Sequence, residues 1–89
     1  MRKFKKAMKD FEKFLDNRLV VDWSDYQGYV TLDCDYLGET SSSVLSKLNA
    51  IENINLIVGD TLVDDSDYLN IYLTDKALNT ILDKVNADY

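Results

Sequence analysis

The sequence contains no histidine and no proline, and its single cysteine is Cys34. Without histidine the chain lacks the most versatile acid–base group and the commonest metal ligand, which excludes Ser-His-Asp triads and His-based metal sites. One cysteine allows no internal disulfide, and a nucleophilic thiol would need a histidine or a cationic neighbour. We therefore expect Cys34 to be a small buried hydrophobic residue, and we expect the protein not to be an enzyme.

Long apolar runs are also missing. No stretch approaches the roughly 20 apolar residues that a membrane-spanning helix requires. The N-terminus is basic, but Lys9, Asp10, Glu12 and Lys13 interrupt the segment where a secretory signal would have its apolar core. These features predict no membrane association and a cytoplasmic location.

The composition that remains is that of one small folded domain, residues 1–89. Hydrophobic residues make up 46% of the chain and charged residues 29%, a balance typical of soluble folded proteins. The net charge of −6 is unevenly distributed. Residues 1–18 carry seven cations and three acids, a balance of +4, whereas residues 19–89 carry three cations and thirteen acids, a balance of −10. The sequence thus describes an acidic body with a basic N-terminal segment.

The stretch 29–36 has the alternation of a β-strand. Side chains spaced two apart fall on the same face, so the apolar alternate set is expected to face a core. The inward set is Val30, Leu32, Cys34 and Tyr36, and the outward set is Tyr29, Thr31, Asp33 and Asp35.

Periodicity elsewhere predicts three helices and three further strands. An apolar stripe at helical spacing marks 2–16, a second helix is expected to end near Glu52, and a third follows Thr74. Strands are predicted at 19–24, 54–58 and 68–73, with a polar loop at 59–67. The resulting order is α-β-β-α-β-β-α, which predicts an α+β fold with a four-stranded, mainly antiparallel sheet and helices packed on it.

Two groups of acids could in principle carry chemistry. The loop residues Asp60, Asp64, Asp65 and Asp67 have the oxygen density of a calcium loop, but they lack the glycine and ligand spacing of an EF-hand. Asp33 and Asp35 lie on one strand face, where no cleft would shift a carboxylate pKa. We therefore expect no catalytic residue, no metal and no cofactor.

The outward face of the predicted sheet is the candidate binding surface. Tyrosine supplies rigid contact area at protein interfaces, and interleaved acids suit a basic partner. The predicted partner-binding residues are Asp22, Tyr29, Asp33, Asp35, Asp64, Asp65, Asp67, Tyr68 and Tyr72, and the same face is expected to carry Thr31, Asn55, Ile57 and Asn70.

In size, acidity and lack of catalytic motifs, the chain resembles the small inhibitors encoded by bacteriophages and mobile elements, which include DNA mimics and anti-CRISPR proteins. The resemblance implies a non-enzymatic inhibitor of a basic, nucleic-acid-handling protein such as a CRISPR effector, acting in the host-cell cytoplasm. Direct binding to nucleic acid is disfavoured because the acidic body would repel phosphates. The alternative is a self-associating structural or assembly module, in which the basic helix 2–16 of one copy binds the acidic body of another.

Overall fold

The computed structural model describes residues 2–16, 18, 20–24, 28–64 and 67–87. In chain order the elements are α1 (Arg2–Asp16), β1 (Val20–Ser24), β2 (Tyr29–Asp33), α2 (Ser41–Asn49), a 3₁₀-helix (Ile54–Leu56), β3 (Val58–Val63), β4 (Tyr68–Leu73) and α3 (Asp75–Ala87). None of the helices in these ranges combines the length and the apolar character needed to cross a bilayer.

All strand pairs in the sheet are antiparallel. The strand order is β1-β2-β4-β3, so β4 lies between β2 and β3. In the β2–β4 pair, Tyr29 lies opposite Tyr72 and Asp33 lies opposite Tyr68. In the β3–β4 pair, Asp60 lies opposite Tyr72, and the register shifts between Val58 and Asp60. Strand β4 therefore pairs with β2 along one edge and with β3 along the other.

The predicted α+β class is confirmed, but the predicted set of four strands is wrong in its third member. The strands with described side chains form a three-stranded antiparallel sheet, β2-β4-β3, and β1 is described only through its backbone pairing with β2. The predicted strand at 54–58 is instead a 3₁₀-helix at Ile54–Leu56. The third strand, Val58–Val63, occupies the segment for which a loop was predicted.

Local hydrogen bonds explain why residues 54–57 do not form a strand. Asn53 has a left-handed backbone with φ of 61°. Beyond it, the Leu56 N–H donates to the Asn53 oxygen at 3.0 Å, and the Ile57 N–H donates to the Ile54 oxygen at 2.9 Å. Ile57 is fully buried while Ile54 is partly buried, so this short apolar run contributes to the core from a helical turn.

The hydrophobic core lies on one face of the sheet, and all three helices contribute to it. Cross-strand neighbours Val30 and Ile71, and Leu32 and Leu69, supply the sheet side of the core. The helical side is supplied by Phe4, Ala7, Met8, Phe11 and Phe14 of α1, Val44 and Leu48 of α2, and Ala77 of α3. Full burial of each large apolar side chain contributes about 1.5–3 kcal/mol. Within the described ranges, the helices therefore pack on this inner face and not on the other face of the sheet.

Arg18 fixes the C-terminal end of α1 beside the loop that precedes α2. Its Nη1 donates to the Phe14 oxygen at 3.1 Å, and its guanidinium carbon lies 4.2 Å from the centre of the Phe14 ring. The Arg18 Nε lies 3.5 Å from Glu39 Oε2, and Lys47 forms an ion pair with the same carboxylate. At the other end of α1, Lys76 Nζ lies 4.5 Å from the centre of the Phe4 ring. Helix α1 thus runs along the inner face from the start of α3 towards Glu39.

Candidate protein-binding surface

The face of the sheet opposite the helices is the candidate binding surface, and we call it the outer face. Along β2 and β4 its residues alternate with residues of the core, and cross-strand register places the residues of β3 beside them. The outer face comprises Tyr29, Thr31 and Asp33 of β2, Tyr68, Asn70 and Tyr72 of β4, and Asp60 and Leu62 of β3.

Aromatic and aliphatic side chains occupy much of this face. The rings of Tyr29 and Tyr72 lie 5.1 Å apart at an interplanar angle of 41°, a cross-strand aromatic pair. Tyr68 is half-buried at the far end of β4, and Leu62 on the neighbouring strand is 54% exposed. The outer face therefore offers apolar contact area bordered by hydroxyl groups and carboxylates.

The middle of the outer face is held by a polar contact between β2 and β4. Thr31 is only 7% exposed, although it points away from the core. Its Oγ1 donates to Asn70 Oδ1 at 2.6 Å, directly across the register. A buried hydroxyl needs such a partner, because an unpaired one would lose its hydrogen bonds to water without replacement. The contact stabilises the pairing beneath the surrounding tyrosines.

Four of the predicted acids are gathered at one end of the sheet. The backbone N–H of Tyr36 donates to Asp33 Oδ1 at 3.1 Å, and that of Tyr68 donates to Asp64 Oδ1 at 3.1 Å. The Cys34 N–H donates to the backbone oxygen of Asp67 at 3.3 Å, which joins the turn after β2 to the loop before β4. Asp35, in the turn after β2, and Asp67 are exposed. We call Asp33, Asp35, Asp64 and Asp67 the acidic end.

Cys34 lies beneath the acidic end and is fully buried. Burial raises the pKa of its thiol, and the nearby negative charges of Asp67, Glu39 and Asp33 raise this pKa further. Arg18 acts in the opposite direction but is the smallest contribution. The thiol therefore stays protonated at neutral pH, and Cys34 has the chemistry of a core residue.

The structure places the predicted site residues in two adjoining groups. Tyr29, Asp33, Tyr68 and Tyr72 lie on the outer face, and Asp35, Asp64 and Asp67 lie at the acidic end beside it. The backbone of Asp22 pairs opposite Thr31, but its side chain lies outside the described part of the structure, as does Asp65.

Four residues do not lie where the sequence analysis placed them. Asp35 was assigned to the outward face of the strand, but it lies in the turn after β2. Asn55 is exposed in the 3₁₀-helix, and Ile57 is buried in the core instead of facing outward. Tyr36 was assigned to the core by strand alternation, yet it is 72% exposed because β2 ends at Asp33 and a turn follows. The apolar–polar alternation of the sequence extends past the end of β2 and predicts a strand there. In the structure the Asp33 carboxylate accepts the Tyr36 N–H and caps a turn instead.

Sequence reasoning missed Asp60 and Leu62 as surface residues. Both were assigned to a loop, whereas β3 places them opposite Tyr72 and Asn70. A signal was present in residues 61–63, whose types favour a strand, and in the short Asp-rich segment before Tyr68, which together have the pattern of a β-hairpin. With these two residues the outer face extends across β2, β4 and β3, the strands whose side chains the structure describes.

No group of three or more cysteine or carboxylate side chains is placed to hold a metal within the described ranges. The outer face is broad, and its side chains suit contact with a complementary surface. Searches against protein-family models, curated proteins and solved structures find no match to this chain.

Proposed function

We propose that this protein is a non-enzymatic inhibitor that binds a basic, nucleic-acid-handling protein, such as a CRISPR effector, through its outer face and acidic end. The observation that carries the proposal is the asymmetry of the sheet. All three helices pack on the inner face, while the open face carries paired tyrosines, an exposed leucine and adjoining carboxylates.

Charge supports a basic partner. The chain has sixteen acids, ten cations and a net charge of −6, and four acids gather at one end of the open surface. A cationic groove that accepts nucleic acid would attract this surface through the same long-range field that attracts phosphates. Phosphates themselves would be repelled, so the nucleic acid is a competitor and not a ligand.

Tyrosines support a protein partner. Tyr29, Tyr68 and Tyr72 are held on strands, so they present contact area that loses little conformational entropy on binding. Leu62 adds an apolar side chain that is 54% exposed in the free protein. Specific protein complexes commonly bury about 800 Å² on each partner.

Affinity capture from a bacterial lysate tests the proposal. The protein serves as bait, nuclease is added to remove nucleic-acid bridges, and bound proteins are identified by mass spectrometry at low and moderate salt. Asp33→Asn/Asp35→Asn removes two charges, and asparagine at position 33 keeps an oxygen to accept the Tyr36 N–H. The matched control, Glu52→Gln/Asp83→Asn, removes two charges at exposed positions outside the outer face.

The proposal expects the wild type and the control to enrich the same basic nucleic-acid-handling protein. The Asp33/Asp35 variant should recover about tenfold less of it, and enrichment should fall as salt rises because screening weakens charge attraction. Once the nuclease has been washed away, added double-stranded DNA should compete with the bait for the captured protein. Equal capture by both variants would contradict the assignment of this surface.

A further inference from the structure

A cavity of about 600 Å³ lies at the opposite end of the molecule from the acidic end. It is lined by Arg2, Lys3 and Phe4 of α1, Leu56 of the 3₁₀-helix and Lys76 of α3, and we call it the basic pocket. Phe4 and Leu56 form an apolar lining, while the three cations come from two different helices. Lys76 lies over the Phe4 ring at 4.5 Å, which places its charge at the apolar lining. The pocket suits a ligand that is both apolar and anionic.

A segment with that chemistry is present in the same chain. The turn after β2 contains Asp35 and Tyr36, and Tyr36 is 72% exposed. Its backbone is fixed by the Tyr36 N–H bond to Asp33, by the Gly38 N–H bond to the Asp35 oxygen at 3.0 Å and by the Glu39 N–H bond to the Cys34 oxygen at 3.0 Å. We call residues 33–37 the acidic turn. It presents an aromatic ring beside carboxylates on a preorganised backbone, which lowers the entropic cost of binding.

The acidic turn cannot reach the basic pocket of its own molecule. The Cys34 N–H is hydrogen-bonded to the backbone oxygen of Asp67, just before β4 begins. Lys76, by contrast, follows just after β4 ends. The six residues of β4 span about 20 Å at about 3.3 Å per residue. A contact between the turn and the pocket therefore has to join two molecules.

From this complementarity we infer that the protein associates head to tail, with the acidic turn of one copy in the basic pocket of the next. Tyr36 packs against Phe4 and Leu56, and Asp33 and Asp35 approach Arg2, Lys3 and Lys76. Because the two surfaces differ and lie at opposite ends, the contact is heterologous and leaves a free turn and a free pocket on every dimer. Association should therefore continue beyond the dimer as concentration rises. The inference goes beyond the proposed function, since it requires no foreign partner.

Mixing two complementary variants tests the inference. The pocket variant is Lys3→Glu/Lys76→Glu, and the turn variant is Asp35→Lys/Tyr36→Ser; all four positions are exposed. Mass is measured by sedimentation velocity over a range of concentrations, at about 0.1 M and about 1 M salt, between which the screening length falls from about 10 Å to about 3 Å. Circular dichroism and denaturant unfolding establish that each variant is folded.

The wild type should show a mass that rises with concentration at low salt and returns to that of a monomer at high salt. Each variant alone should self-associate at least about tenfold more weakly, because one of its two contact surfaces is reversed in charge. Their equimolar mixture should regain association, since each variant keeps the surface that the other lacks and the two reversed surfaces are opposite in charge. A chain carrying Asp35→Lys together with Lys76→Glu should regain association through the exchanged pair, a result that misfolding cannot produce.

The control Lys9→Glu/Lys13→Glu changes the same charge at exposed positions of α1 away from the basic pocket. Self-association of this control should weaken less than that of the pocket variant, because its turn and its pocket are unchanged. Loss equal to that of the pocket variant would overturn the pocket assignment in favour of the whole basic face of α1. A wild type that stays monomeric at low salt, or a variant mixture that does not dimerise, would overturn the inference and leave a foreign acidic segment as occupant of the pocket.

Discussion

Two polar contacts act at the scale of single residues, and they stabilise different parts of the molecule. Thr31 and Asn70 join β2 to β4 on the outer face, while Glu39 joins α1 to α2 through Arg18 and Lys47. Each contact places a partly or fully buried polar group beside a specific partner. Removing one partner of such a contact destabilises the fold by more than the contact itself contributes, because the remaining polar group is left without a hydrogen bond.

Replacing Thr31 by valine should destabilise the fold by about 1–2 kcal/mol, because Asn70 Oδ1 loses its donor in a part-buried position. Valine keeps the branched shape and the strand propensity of threonine, so the change isolates the hydroxyl. Chemical denaturation measures the free energy of unfolding. Thr31→Ser, which keeps the hydroxyl, should recover part of the loss, and an unchanged stability in Thr31→Val would show that Asn70 finds another donor.

The ionised form of Glu39 is favoured by its surroundings. The hydrogen bond from Lys47 is the largest cause of a lowered Glu39 pKa, and the positive charge of Arg18 acts in the same direction. A carboxyl group whose pKa is lowered on folding stabilises the folded state above its ordinary pKa of about 4.5. That contribution is lost as pH falls through the lowered value, because the folded protein must then accept the proton.

Glu39→Gln should therefore cost about 1–2 kcal/mol at pH 7, where it leaves Arg18 with only the Phe14 oxygen and ring. The difference from wild type should shrink as pH falls from about 4.5 through the lowered pKa of Glu39, below which the wild-type side chain is also neutral. Urea unfolding at pH values from about 3 to 7 measures it. Exposed Glu52→Gln serves as the control, with an expected change below about 0.5 kcal/mol at every pH.

At the scale of elements, sequence periodicity predicts best where one face of an element is wholly buried. The stripe of α1 and the inward residues Val30, Leu32, Leu69 and Ile71 follow directly from spacing, and all are in the core. Periodicity fails at 54–63 because the apolar run there is short, and a 3₁₀-helix and a strand both bury part of it. Because the third strand was misplaced, the sequence analysis missed Asp60 and Leu62. Alternation therefore identified six of the eight outer-face residues, and the other two required the register.

Two glycines at element ends allow a matched comparison. Gly28, before β2, and Gly38, before α2, have φ values of 68° and 70°. A Cβ at Gly28 would lie 3.0 Å from Leu78 Cδ2 of α3, whereas a Cβ at Gly38 would meet nothing within 4 Å. Both positions require a left-handed backbone, but only Gly28 also requires close approach to a helix.

Gly38→Ala should therefore cost about 1 kcal/mol from backbone strain alone. Gly28→Ala should cost about 1–3 kcal/mol more, because Leu78 must move or the contact stays compressed. Thermal or denaturant unfolding of the two variants gives the difference directly. Equal losses would indicate that the Leu78 side chain moves aside without cost.

At the scale of the whole molecule, the sheet separates stability from recognition. The inner face is covered by helices that carry most of the buried apolar residues, and the outer face is open. Charge follows a different axis, from the basic pocket beside the first turn of α3 to the acidic end at the start of β4. The acidic end belongs to both proposed contacts, so a foreign partner and another copy of the chain should compete for Asp33 and Asp35.

The same substitution on the two faces of the sheet should separate the two roles. Leu69→Ala removes a fully buried side chain and should cost about 2–5 kcal/mol, whereas Leu62→Ala removes one that is 54% exposed and should cost less than about 1 kcal/mol. Partner capture should show the reverse order, with Leu62→Ala the weaker bait and Leu69→Ala retaining capture at a temperature where it is folded. Denaturant unfolding and the capture assay are run on both variants, and reduced capture by Leu69→Ala alone would place the binding surface on the side of the helices.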